Sequence, residues 1–398
     1  MAAFMHDKVG EASAARTRRA LAECGAWQTM QLAPLVGLVI LVAFVLAGGR
    51  ESSRPPQWAA GLVIVGLVAR QPDRWRHRVR GRKAGSVWEL MQWQRARCSD
   101  VTPALLLLGH WVELLGWWGL AASAGSAGWV LAATIGAVKG RHLQEVSHFA
   151  VHGALFKTAR MSNALTEALA HVPMGFGPVV VRQARHVRDH HPNAAVPGLD
   201  PNLTELATAG LAAGIAATDF VLAVLFPLTG AGLSATVRGL VGNLHPRRGW
   251  WRLVAFCIAP AAAMLLGGVP LLLAGFVVPR LLLYPQLAWM SLLVEHSWFD
   301  APAPVGDRRL VEYGRCVRLY QRRRLWSVFA RATWLPYGDL MHYAHSVHPG
   351  LRWNYLAAAD ALLGPPRTVY PTLAGRTGAL AALWRTTVQR PASGLVGE

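Results

Sequence analysis

Apolar residues in this chain gather into long runs instead of alternating with polar ones. The runs cover 30–48, 58–69, 103–122, 125–139, 206–229 and 252–296. Such runs favour helices over half-buried strands, and a helix needs roughly 20 apolar residues to cross a bilayer. The 30–48 and 58–69 runs, joined through Arg54-Pro55-Pro56, predict one transmembrane hairpin, and 103–122 with 125–139 predicts a second. The long run 252–296 suits two helices that turn near Pro270 or Pro279. Asp219 lies in the middle of 206–229, and a charge at the bilayer centre costs at least about 2.5 kcal/mol. That run is therefore expected to be an interfacial or buried helix pair that does not span. Six spans with both chain ends cytoplasmic follow from this reading.

Composition strengthens the membrane reading. Hydrophobic residues make up 53% of the chain and charged residues only 15%, where a soluble domain carries about 25% charged residues. Lys and Arg outnumber Asp and Glu by 40 to 21, for a net charge of +19. The basic residues sit between apolar runs, as at Arg70, Arg74, Arg76, Arg78, Arg80, Arg82 and Lys83. That placement fits cytoplasmic membrane loops and anionic lipid better than a nucleic-acid face, so no nucleic-acid partner is expected. Many of the 17 Trp lie near the ends of apolar runs, where amphipathic rings favour the headgroup region. The first 23 residues are too polar for a cleavable signal peptide. Cys24, Cys98, Cys257 and Cys316 are far apart and form no CxxC pair, which suggests neither a zinc ribbon nor an iron–sulfur ligand set. The expected fold is all-α, built of polytopic membrane helices. Its divisions are a cytoplasmic segment 1–29, two transmembrane hairpins over 30–138, a region 139–360 that includes the hairpin at about 252–296, and a tail 361–398.

Most of the 15 histidines are grouped. His148 and His152 stand at i, i+4, which places both rings on one helix face where they can share a metal. His186 and His190 repeat that spacing with His191 adjacent, and His342, His345 and His348 form a third group ahead of Pro349. His296 closes the last apolar run. His142, His171 and His245 are read as helix-end or structural residues, and His6, His77 and His110 have no clustered partner. Neutral imidazole suits iron, copper, nickel or zinc. Eight or nine rings are more than one zinc can use, whereas two irons can absorb them.

The segment His148-Phe-Ala-Val-His152-Gly-Ala-Leu-Phe156 resembles the first histidine box of the membrane fatty acid desaturases. His186 to His191, followed by Leu199-Asp200-Pro201, resembles the second, and His342-Tyr-Ala-His345-Ser-Val-His348 resembles the third. The resemblance covers about 139–360 and implies a membrane oxidoreductase of polytopic membrane helices with a cytoplasmic histidine-rich cap, in which 139–360 is the domain that holds two irons. It also implies that His296 matches an extra ligand near the end of the last span. Two positions depart from the pattern. Phe149 stands where an acidic residue is common, and Ser346 stands where the third box usually has a second, adjacent histidine. Either His348 or water would complete the set.

The implied reaction is O2-dependent desaturation of a fatty acyl or lipid chain. The alternatives are hydroxylation or ketone formation on an apolar alkyl or isoprenoid substrate, and a non-catalytic membrane metal-binding protein. Glu145, Asp189, Glu295 and Asp339 are candidates to orient the imidazoles. No GxGxxG follows a strand-like run, so a separate electron donor such as a ferredoxin is implied. Arg315, Arg318, Arg322, Arg323 and Arg324 offer a surface for an acidic carrier or for lipid headgroups.

Overall fold

The computed structural model describes residues 55–79, 84–245, 249–299, 306–316, 324–364 and 379–389, with isolated positions between 37 and 48. Helices account for the regular structure, and the described residues contain no strand. Their one β pairing is an isolated antiparallel bridge between His296 and Cys316.

The apolar run at 103–122 forms the helix Val101–Ser123, and Gly125–Val151 follows it after a turn at Ala124. Pro55–Ala69 lies along Val101–Ser123 at very short range. A methyl group on Gly66 would come within 2.5 Å of the Glu113 backbone nitrogen, and one on Gly116 within 2.7 Å of the Ala59 oxygen. Hydrogen side chains at these two positions let the backbones touch. Within this packing Arg70 reaches Glu113 at 2.6 Å and Lys139 reaches it at 2.5 Å. A carboxylate inside an apolar helix is tolerated only when neutralised. Two cations, one just past each neighbouring helix's apolar run, meet that need and fix the register of the packing.

The 252–296 run becomes the 46-residue helical stretch Trp250–Glu295. It is broken at Gly267 and Gly268, the latter with φ 66° and ψ −160°, a backbone region open to glycine alone. The break falls just ahead of Pro270, while Pro279 sits inside a continuing helix. The 206–229 run is divided among Pro201–Thr208, Ala217–Val224 and Phe226–Leu228, none long enough to span.

Two stretches are long and apolar enough to cross a membrane, Val101–Ser123 and Trp250–Glu295. In the first, 67% of the apolar window is buried inside the molecule, and in the second only 28%. Met264, Leu265, Val269 and Leu273 of the second face outward, as side chains that meet lipid do. The other expected spans are less complete. Pro55–Ala69 has 15 residues, about 22 Å at 1.5 Å per residue against a hydrocarbon core of about 30 Å. Gly125–Val151 is apolar in its first half but carries Lys139, Arg141 and Glu145 in its second. The expected 1–29 segment and most of the 30–48 run lie outside the described residues.

Candidate metal centre

Four chain segments bring the histidines together. The last two turns of Gly125–Val151 present His148, and His152 caps that helix. Val179–Gln183, Ala184–His190 and His191–Asn193 succeed one another and carry His186, His190 and His191. His296 leaves Trp250–Glu295 in extended conformation, and His342–Val347 supplies His342 and His345.

Five of these rings form one cluster. Ligand atoms of His148, His152, His186, His191 and His345 all lie within 4.8 Å of one another. His148 Nε2 is 2.6 Å from His186 Nε2 and 3.1 Å from His152 Nε2, and His191 Nε2 is 3.2 Å from His152 Nε2. Both ring nitrogens of His345 are buried without a hydrogen-bond partner, and its ring centre lies 4.7 Å from those of His148 and His152. Burial, followed by the neighbouring rings, holds His152, His186, His191 and His345 well below the usual imidazole pKa. Neutral rings gathered around one point can hold a cation between them, and five imidazole nitrogens are a donor set that fits iron.

A second cluster adjoins the first. His342 Nε2 is 3.1 Å from His296 Nε2, and the ring centres of His190 and His296 are 5.3 Å apart. His190, Glu295 and His296 form one possible ligand group, and His296, Cys316 and His342 form another. The spacing within each box explains the division. His342 and His345 share a short helix, their ring centres are 5.9 Å apart, and each serves a different cluster. His190 and His191 divide in the same way.

Carboxylates set the free nitrogens. Glu145 Oε1 accepts from His148 Nδ1 at 2.9 Å, leaving Nε2 to face the cluster. Asp200 Oδ1 accepts from His190 Nδ1 at 2.8 Å, and the remaining nitrogen, Nε2, is buried and unpartnered. The same Asp200 accepts from the Ala195 and Asn202 backbone N–H groups and caps Pro201–Thr208. Glu295 and Asp339 lie with His342 in a further possible ligand group, where Asp339 also pairs with Arg141 and accepts from Ser291. Asp189 was the carboxylate nearest His190 in sequence, yet the aspartate bonded to that ring is Asp200.

Of the nine histidines proposed from sequence, eight enter these clusters and His348 does not. Its backbone N–H caps His342–Val347 through the Ala344 oxygen, and its ring is half-buried, its pKa lowered by burial and by Arg308 and Arg309. The ungrouped histidines do structural work. His142 bonds the Ala332 carbonyl, His171 bonds that of Gly177, and His77 joins Tyr355 and Arg352. Arg315 is buried beside Glu312, which removes it from the expected basic docking surface. Arg318, Arg322 and Arg323 lie outside the described residues. The residues that sequence reasoning missed are Asp200 and Cys316. Asp200 had a signal in the capping pair Asp200-Pro201, whereas a solitary cysteine has none.

A cavity of about 460 Å³ opens against His148, His186 and Glu295, with Arg141, Arg182 and Tyr284 on its wall. Helices able to cross a membrane, carrying adjoining imidazole clusters able to hold metal, define a class of helical protein organised around a histidine metal centre. The fatty acid desaturase family model matches residues 124–372, more than half of the chain, and the chain belongs to that family. The family is one of membrane-bound oxidoreductases that usually bind iron. No curated protein and no solved structure matches the chain.

Proposed function

We propose that the chain is a multi-pass, membrane-bound di-iron oxidoreductase that desaturates fatty acyl or lipid chains with O2 and electrons from a separate donor such as a ferredoxin. The observation that carries this reading is the convergence of His148, His152, His186, His191 and His345 on one point, with His190, His296 and His342 beside it. His148, His152, His186, His191 and His345 would hold one iron, and His190, His296 and His342 the second. Bound iron supplies O2 activation and C–H oxidation there. The protein's own part is to fix the rings through Glu145 and Asp200, to position the acyl chain in the adjoining cavity, and to exclude water. The arginine-rich segments between apolar runs support a metal centre that faces the cytoplasm.

A second reading is hydroxylation or ketone formation on an alkyl or isoprenoid substrate. One observation favours it: Ser346 stands at the position where the third box usually has a second, adjacent histidine. Iron analysis of the purified chain should give two irons per chain. Labelled acyl chains supplied to an expressing host should yield an alkene by mass spectrometry. An alcohol or ketone product selects the second reading. Iron far below two per chain, with activity unaffected by His190→Ala, overturns both.

A further inference from the structure

The two clusters have unequal donor sets. The first has five imidazoles, whereas around His296 the possible donors fall into two overlapping groups, one with His190 and Glu295 and one with Cys316 and His342. Ser346 lies in the same short helix as His342 and His345 and supplies no ring. Its hydroxyl is buried without a hydrogen-bond partner. Cys316 Sγ is 3.7 Å from His296 Nδ1, and it lies with His296 and His342 in a group whose ligand atoms are all within 4.8 Å of one another.

Backbone structure holds the thiol in place. Arg308–Arg315 ends at Cys316, whose N–H bonds the Glu312 oxygen at 2.9 Å. The chain then turns extended and pairs with His296 in the β-bridge, with Ser297 N–H donating to the Arg315 oxygen at 2.6 Å. A buried cysteine is ordinarily a small space-filling hydrophobe and sits among aliphatic atoms. This one faces an imidazole nitrogen and Glu312 Oε2 at 3.5 Å. A separate observation points to a ligand at His296, the ring that both groups share. His190 Nε2 is fully buried with no partner while Asp200 occupies Nδ1, and His190 groups with His296.

We propose that Cys316 is a thiolate ligand of the second metal and replaces in the donor set the side chain that Ser346 does not provide. On metal binding the thiol proton leaves to solvent and one metal–sulfur bond forms, with no change of oxidation state. The two metals then differ in charge as well as in ligand count, one held by neutral nitrogens and the other by nitrogens and an anionic sulfur. Softer donors favour thiophilic ions, so the second site should be the more selective of the two. The proposal rests on the two-metal reading, and its test separates the two.

The full-length chain in detergent, stripped and titrated with cobalt(II), should bind two ions per chain and develop a sulfur-to-cobalt charge-transfer band as the second site fills. Cys316→Ser should abolish the band and weaken the second binding event by about tenfold or more, leaving the first event unchanged. Cys98→Ser and Cys257→Ser should retain the band. X-ray absorption of the iron-loaded unaltered chain needs no variant and should show a sulfur neighbour at about 2.3 Å, as for other metal–thiolate bonds. Two bound ions with no sulfur neighbour, or unchanged second-site affinity in folded Cys316→Ser, overturns the proposal and leaves the two-metal reading standing. No metal bound by the unaltered chain overturns both.

Discussion

The first cluster draws rings from all three histidine groups and the second from only two of them, and the two are finished differently. In the first, every donor comes from a box, and helix packing brings the three boxes together. In the second, His190 and His342 come from boxes, but His296 and Cys316 arrive on an extended bridge. The first therefore depends on helix packing, and the second on one short backbone pairing between distant segments. The difference teaches that the second and third boxes divide their rings between the clusters while the first box serves one alone, and completion of the second site is left to the rest of the fold.

The sharpest way to break this comparison is to remove one ring. His345→Ala should empty the first site, lower bound iron from two per chain toward one, and cut activity by more than about 100-fold, beyond the range for losing an outer partner. Iron analysis and turnover of the same preparation check it, and equal loss from both sites would show that the clusters are not separable. Next come the orienting carboxylates. Asp200→Asn should weaken metal at the second site by about 10- to 100-fold, and Glu145→Gln should do the same at the first. Calorimetric titration of each variant should show one altered binding event, different in the two cases.

A pH titration should treat both clusters alike. Burial lowers the folded-state pKa of His152, His191, His342 and His345, while an unfolded imidazole titrates near about 6.5. The folded metal-free chain thus binds fewer protons than the unfolded chain. Its stability should be full above about pH 6.5 and fall as the pH drops below that value. Thermal unfolding of the metal-free protein between neutral and acid pH measures this. Added metal should move the loss to lower pH, because cation and proton compete for the same nitrogens. The smallest expected effect is that of His348→Ala, which should leave metal content at two per chain and change stability by no more than about 0.5 kcal/mol.

Much of this architecture was legible in the sequence because it is local. Spacings of three and four residues placed His148 with His152 and His342 with His345, and apolar runs marked the helices. Asp219 marked a run expected not to span, and the structure divides that run among three short helices. What was not legible depends on long-range pairing. Nothing near Cys316 in the chain signals that its strand-like residue will bridge to His296. Asp189, adjacent to His190 in sequence, was a natural partner for it. Asp200 takes that role because the turn between them folds back. The helix break at Gly267-Gly268 was expected at a proline and falls just before one, since glycine alone adopts the backbone angles required there.

The spread of the ligands along the chain also bears on when the centre can be assembled. His148 and His345 lie in one cluster although nearly 200 residues separate them, and closing so long a loop is slow and entropically costly. A chain emerging from the ribosome has its first two boxes inserted well before His342–Val347 is made. On the two-metal reading, metal acquisition would be a late step in biogenesis, and a chain that stops before the third box would be left with incomplete sites.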